Sequence, residues 1–248
     1  MELLVRNLKR IKLVTFDVTN TLLYFKNPPE VQYLKTAAMF GISEESFDSN
    51  LMKKNFRKHF KIQQQKHPNF GRNSISYQKW WEDLVINVFM SSSRHPIERR
   101  NLKPVAHELI NLYKTRECWE KYEKSNELIS DLKDAGKCVG VISNFDSRLH
   151  DLLHDMNITK LDFVITSYEA GSEKPNPVIY NEALLATNQI IKPSEALHIG
   201  NELDKDYNGA MSAGWSSILI NSQESQDYLC FRNVQDLWES IRSRDVKI

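Results

Sequence analysis

Two hydrophobic rhythms divide the chain. Short apolar runs bordered by turn residues stand at 13–16 (LVTF), 138–142 (CVGVI), 163–165 (FVI), 196–199 (ALHI) and 216–220 (SSILI). Runs this short, rich in β-branched residues and apolar at successive positions, predict strands buried on both faces. From about residue 122 onward they alternate with segments spaced for helix. Those segments predict helices over 127–135, 148–156, 177–186, 205–213 and 234–242, with Gly136 ending the first. Strand and helix in alternation, joined by short links, imply an α/β core whose parallel sheet is covered on both faces.

Residues 24–117 follow the other rhythm. Apolar pairs at helical spacing run through Tyr33-Leu34, Ala37-Ala38 and Phe40, then Phe47, Leu51 and Phe56, then Trp80-Trp81, Leu84-Val85 and Val88-Phe89. Gly41 reads as a helix stop, Ser43 and Ser46 as caps for the next helix, and further helices are expected over 76–90 and 97–113. A strand-helix-strand crossover needs only about a dozen residues including its helix. Here 126 positions separate Asp17 from Ser143, the two strand ends. The excess predicts an all-helical domain, 24–117, inserted into a core made of 1–23 and 118–248.

Composition narrows the partners. The chain has 248 residues, 41% hydrophobic and 26% charged, with a formal net charge of +1. That balance gives no global field toward nucleic acid or a membrane surface, and no apolar run approaches the ~20 residues of a membrane helix. Cys118, Cys138 and Cys230 are odd in number and widely spaced, so they read as reduced packing residues of an intracellular protein, in cytoplasm or nucleus. Arg6, Lys9, Arg10 and Lys12 give the amino terminus a faint transit-peptide character, but the segment runs straight into the first strand. A monomer or weak homodimer is expected.

Candidate chemistry gathers at the carboxyl ends of the strands, where open α/β sheets bind ligands. Asp17, with Thr19, Asn20 and Thr21, follows LVTF; Ser143-Asn144 follows CVGVI; Lys174 lies in GSEKPNP after DFVIT; and GNELDKD, Gly200 to Asp206, follows ALHI. Four such features in this order resemble the motifs of the haloacid dehalogenase-like (HAD) hydrolase superfamily, over nearly the whole chain. FDVTNTLL, NFGRN, LYKT, SNFD, EKPNP and LHIG are closer still to its rhythmically expressed gene 2 branch. The resemblance implies a HAD-like, Rossmann-like core with the helical insert as a cap able to close over Asp17. It also implies a Mg²⁺-dependent phosphohydrolase of small phosphorylated molecules, forming an aspartyl phosphate on Asp17. Metal ligands would be Asp17, the Thr19 carbonyl, Asn201 and Asp206. Lys174 would hold Asp17 and the transferring phosphoryl group, and Thr21, Ser143 and the Asn144 amide would bind phosphoryl oxygens.

The residue types suit that chemistry. A carboxylate nucleophile splits one hard step into two, and Mg²⁺ suits an oxygen site with one or two carboxylates. Two positions depart from the usual pattern. Thr19 stands where most phosphatases of the superfamily carry the general acid–base Asp, help worth ~10²–10⁴ in rate. Asn201 stands where an Asp ligand is usual, which lowers the charge of the metal site; Glu202 or Asp204 is a possible compensation. These departures motivate a second reading, a catalytically retired binding or regulatory module. Carbon–halogen hydrolysis by the same Asp is a third, since Lys174 fits either chemistry. Elsewhere the plain readings prevail. His198 reads as a packed strand histidine, His150 and His154 as a polar helix face, Lys53, Lys54, Arg57, Lys58 and Lys61 as a solvated face, and Trp80 and Trp81 as core. Arg72, in NFGRN, is an anion-binding candidate for substrate choice.

Overall fold

In the computed structural model, residues 10–221 and 228–243 are described. Arg6 and Lys9 of the basic amino terminus lie outside them. The chain divides into two compact units, one running through Tyr24 and resuming at Lys121, the other spanning Phe25–Glu120.

The first unit is built on a six-stranded sheet. Its strands are β1 (Leu13–Phe16), β4 (Cys138–Ser143), β5 (Phe163–Thr166), β6 (Ala196–Gly200), β7 (Ser216–Ile220) and β8 (Cys230–Phe231), in the order β5-β4-β1-β6-β7-β8. Every pairing is parallel. Strands β1 and β4 are buried at every residue, as uninterrupted apolar runs require. The order turns at β1: the chain builds outward on one side through β4 and β5, then returns to β1's other side with β6. That is the switch point at which open α/β sheets carry ligands.

Helices α5 (Ser125–Asp134), α6 (Arg148–Asp155), α8 (Pro177–Ala186) and α10 (Val234–Arg242) fall where the spacing predicts, within two residues at each end. Between α6 and α8 lies a single turn, α7 (Ser167–Ala170), ended by Gly171 at φ 73°. One expectation is corrected. Residues 205–213 are not one α-helix but a π-helical turn, Leu203–Asn208, followed by the short α9 (Gly209–Ser212). Strand β8 and a two-stranded ribbon, β2 (Leu23–Phe25) with β3 (Trp119–Lys121), are additions that the pattern did not predict. Segments of two or three residues are too short to show a period.

The second unit is helical: α1 (Pro29–Met39), α2 (Ser49–Lys66), α3 (Tyr77–Ser92) and α4 (Arg99–Leu112). Its core gathers Tyr33, Met52, Trp80, Leu84, Phe89, Leu102 and Leu109, with Trp81 packed against it. Ser43 caps only a 3₁₀ turn; the cap of α2 is Asp48, which accepts from the Leu51 N–H at 2.9 Å. Gly41 closes α1 at φ 75°. Among the described residues, no helix is long and apolar enough to cross a membrane. Among the described residues no disulfide joins the three cysteines, and Cys118 and Cys138 are buried.

Candidate active site

The site is assembled from adjoining strand ends. Asp17 follows β1 and its N–H donates to Ile199 of β6 at 2.9 Å, so it stands level with Gly200. Past Asp17 the chain doubles back, with Asn20 at φ 58° and the N–H groups of Thr21, Leu22 and Leu23 converging on the Val18 carbonyl. Ser143 ends β4 on the other side of β1. The Asn144 side chain grips the Lys174 backbone from both directions. Its amide donates to the Lys174 carbonyl at 2.9 Å, and its oxygen accepts from the Lys174 N–H at 2.7 Å.

That grip delivers Lys174 into the sheet edge, where it is 2% exposed. An ammonium has three donors, and all three are used: on Asp17 Oδ1 at 2.8 Å, Asp206 Oδ1 at 2.6 Å and the Ile142 carbonyl at 2.8 Å. Ser143 Oγ also donates to Asp17 Oδ1, at 2.9 Å. Among the described residues no hydrogen bond reaches Asp17 Oδ2.

Asp206 is held on both oxygens. Oδ1 accepts from Lys174 and lies 3.2 Å from His198 Nε2, while Oδ2 accepts from the Glu202 N–H at 2.8 Å. Gly200 makes room for this: a Cβ there would collide with Asp206 Cγ. Tyr180 Oη donates to the Lys205 carbonyl at 2.7 Å, anchoring the same turn from α8.

One ammonium between two buried carboxylates separates their titrations. Burial raises Asp17; Lys174 offsets part of the rise and the charge of Asp206 adds to it. Burial also opposes ionisation of Asp206, but Lys174 and the His198 N–H outweigh it and hold that carboxyl well below the usual range. Burial would deprotonate Lys174; the two carboxylates reverse this and raise it.

The four strand-end features therefore do come together, with differences in detail. Lys174 keeps no N–H for a phosphoryl group, and the Ser143 proton is directed at Asp17. Thr21 is fully buried, its hydroxyl without a partner among the described residues. Asn201 is half-buried and makes no side-chain hydrogen bond among them. Arg72 is exposed on the second unit, after a turn in which Asn69, Phe70 and Gly71 all have positive φ and Phe70 packs on Trp80 and Trp81. His150 pairs with Glu169 at 2.9 Å. Sequence reasoning assigned no role to the Asn144 side chain or to the His198–Asp206 contact.

For a metal ion, Asp206 has three of its acceptor sites engaged by Lys174, His198 and the Glu202 N–H. The other oxygens at the site belong to the Asp17 carboxylate, the Thr19 carbonyl and the Asn201 amide. One carboxylate oxygen with two neutral ones fits a largely hydrated Mg²⁺. It is no acidic cage: among the described residues, no group of three or more His, Cys, Asp or Glu could hold a metal.

Comparison with known proteins fits this geometry. The family model for haloacid dehalogenase-like hydrolase matches residues 11–214. The chain belongs to that family. It is 39% identical to the rhythmically expressed gene 2 protein of Drosophila melanogaster, over 94% of this chain and 91% of that one. It is 31% identical to the haloacid dehalogenase-like hydrolase domain-containing protein 3 of Bos taurus, over 88% and 85%. The branch read from FDVTNTLL and its companion segments therefore stands. Among solved structures, the HAD-hydrolase YfnB of Bacillus subtilis, described as bound to magnesium, matches with a TM-score of 0.68 at 15% identity. That match covers 94% of this chain and 99% of the other, and it supports the HAD-like α/β fold.

Two outcomes follow for this family member. Gly200→Ala displaces Asp206 from Lys174, and breaking a buried pair costs about 3–5 kcal/mol, to be read from urea denaturation. Asp17→Asn acts the other way. A carboxyl whose folded pKa is raised costs stability once pH climbs from its unfolded pKa, about 4, through the folded one. Removing it should raise Tm at neutral pH, as read from thermal denaturation. The gain should vanish in acid.

Proposed function

We propose that the chain is a Mg²⁺-dependent phosphohydrolase of small phosphorylated molecules that works through an aspartyl phosphate on Asp17. The observation that carries this reading is the asymmetry of the Asp17 carboxylate. Oδ1 is fixed by Lys174 and Ser143, and Oδ2 has no hydrogen-bond partner among the described residues. A carboxylate held by one oxygen presents the other as an oriented nucleophile, which is how positioned groups lower a barrier.

In the first step Asp17 Oδ2 forms a bond to phosphorus as the ester P–O bond breaks, and the leaving oxygen takes a proton from water. Lys174 and Ser143 keep the carboxylate aimed throughout. The Asp17 carboxylate, the Thr19 carbonyl and Asn201 would hold Mg²⁺, whose charge would offset that of a dianionic phosphate beside a carboxylate. In the second step water attacks the acyl phosphate and restores Asp17. Among the described residues of the first unit, the titratable groups facing Asp17 offer that water no base. Asp206 is pinned on both oxygens, Lys174 is fully engaged, and His198 is sealed in the sheet. Thr19 has no useful pKa for the task. Without general-base help, worth ~10²–10⁴, the second step lags the first.

Asn201 favours a second reading, a binding module that has lost catalysis. Mg²⁺ affinity that is unmeasurable in wild type and regained in Asn201→Asp supports it.

The phosphohydrolase reading predicts a phosphoenzyme that accumulates. With Mg²⁺ and acetyl phosphate or p-nitrophenyl phosphate, wild type should show a burst and a hydroxylamine-labile label on Asp17. Asp17→Asn should show neither. Wild type and variant equally inert on a broad panel of phosphate monoesters and anhydrides would end the proposal.

A further inference from the structure

A buried histidine stands behind the site, outside the four strand-end features. His198 lies in the middle of β6, directly opposite Thr15 of β1 in the parallel register. Both are fully buried. A polar pair in that position needs partners for both ring nitrogens. His198 has them: Nδ1 is 2.8 Å from Thr15 Oγ1, and Nε2 is 3.2 Å from Asp206 Oδ1. Tyr180 closes a further side edge-on, its ring centroid 5.5 Å away.

These contacts determine the tautomer. An ionised carboxylate only accepts, so the proton between His198 and Asp206 sits on Nε2. Full burial beside the Lys174 ammonium keeps the ring neutral. Nδ1 then carries a lone pair, and the Thr15 hydroxyl donates to it. That hydroxyl has one other acceptor, the Leu197 carbonyl at 3.5 Å, which is long for an O–H···O bond. Donation thus runs one way, from Thr15 to His198 and from His198 to Asp206.

We infer that His198, oriented by Thr15, is a positioning residue that holds the Asp206 carboxylate against Lys174 while Asp17 is covalently occupied. Lys174 has two counter-charges in the free protein. When Asp17 Oδ2 bonds to phosphorus, the charge of that carboxylate is lost and Asp206 alone compensates the buried ammonium. Tyr180 Oη already tethers the turn at the Lys205 carbonyl. What remains to be fixed is the Asp206 side chain. A neutral N–H donor fixes it without adding a second cation that would compete with Lys174. The role rests on the Asp17 reading above, whereas the tautomer does not.

Two arms test this on the full chain. Long-range proton–nitrogen NMR on ¹⁵N-labelled protein should show one buried histidine with a protonated Nε2 and an acceptor Nδ1 at neutral pH. His198→Gln should erase that signal, and Thr15→Val should shift Nδ1 while Nε2 stays protonated. A ring protonated at Nδ1, alone or as well as Nε2, overturns the inference. In the kinetic arm, His198→Leu should slow phosphoenzyme formation and turnover by about 10-fold or more. His198→Gln, whose amide donates toward Asp206, should recover most of the loss, with KM within about twofold throughout. Equal losses in Leu and Gln, or a loss carried by KM, overturn the positioning role. Should His198→Leu fail to fold, Thr15→Val takes its place and must slow the same steps. A wild type that labels with no phosphate compound removes the hydrolase reading, and the NMR arm alone then decides the tautomer.

Discussion

An ammonium sealed from water tolerates no idle donor, and the sheet edge of this protein is arranged around that constraint. Lys174 spends its three N–H groups on Asp17, Asp206 and the Ile142 carbonyl. A charge buried so deeply is stable only with counter-charge and hydrogen bonds in place. Those acceptors come from three segments distant in sequence, and only the strand order brings them together. Because β1 lies between β4 and β6, Asp17, the end of β4 and the turn after β6 adjoin one another. The Asn144 clamp then fixes how far Lys174 reaches in.

The sharing of one cation has chemical consequences. Asp206 takes the ionised state firmly, and Asp17 is left as the carboxyl that is harder to charge. In the proposed reaction Lys174 would act on Asp17 rather than on the phosphoryl group, since its three N–H groups are engaged. Charge brought by a phosphate would then be offset by something other than Lys174, which is where a Mg²⁺ ion on the Asp17 carboxylate and neutral oxygens enters the proposal. On the proposed reading, Asp17 aimed by Lys174 and Ser143, with no base among the described titratable groups facing it, would suit forming a covalent adduct better than clearing it.

Much of this was legible in the residues. LVTF, CVGVI, ALHI and SSILI announced buried parallel strands because such strands are apolar on both faces, and the long gap between Asp17 and Ser143 announced the insert. The family motifs placed Asp17, Ser143, Lys174 and Asp206 at strand ends. Hydrogen-bond partners were not legible, since motif spacing does not say which oxygen a lysine will meet. Asp206 reads as a metal ligand in sequence, yet three protein donors occupy it. His198 reads as a packed histidine, which it is, while its hold on Asp206 depends on a π-helical turn that helical spacing cannot distinguish from an α-helix. Strands β2, β3 and β8 escaped notice because two or three residues carry no period. Ser43 and Ser46 read as caps for α2, whereas Asp48 caps it, because capping preference does not separate residues so close together.

One lysine divided between two carboxylates should leave them in different charge states. Carbonyl-detected NMR on protein with ¹³C-labelled aspartate, assigned with Asp17→Asn, reads both. Asp206 should stay ionised to the acid limit of the folded state while Asp17 titrates above the ordinary carboxylate range. Two carboxyls titrating together, or Asp206 taking the proton first, would refute that division.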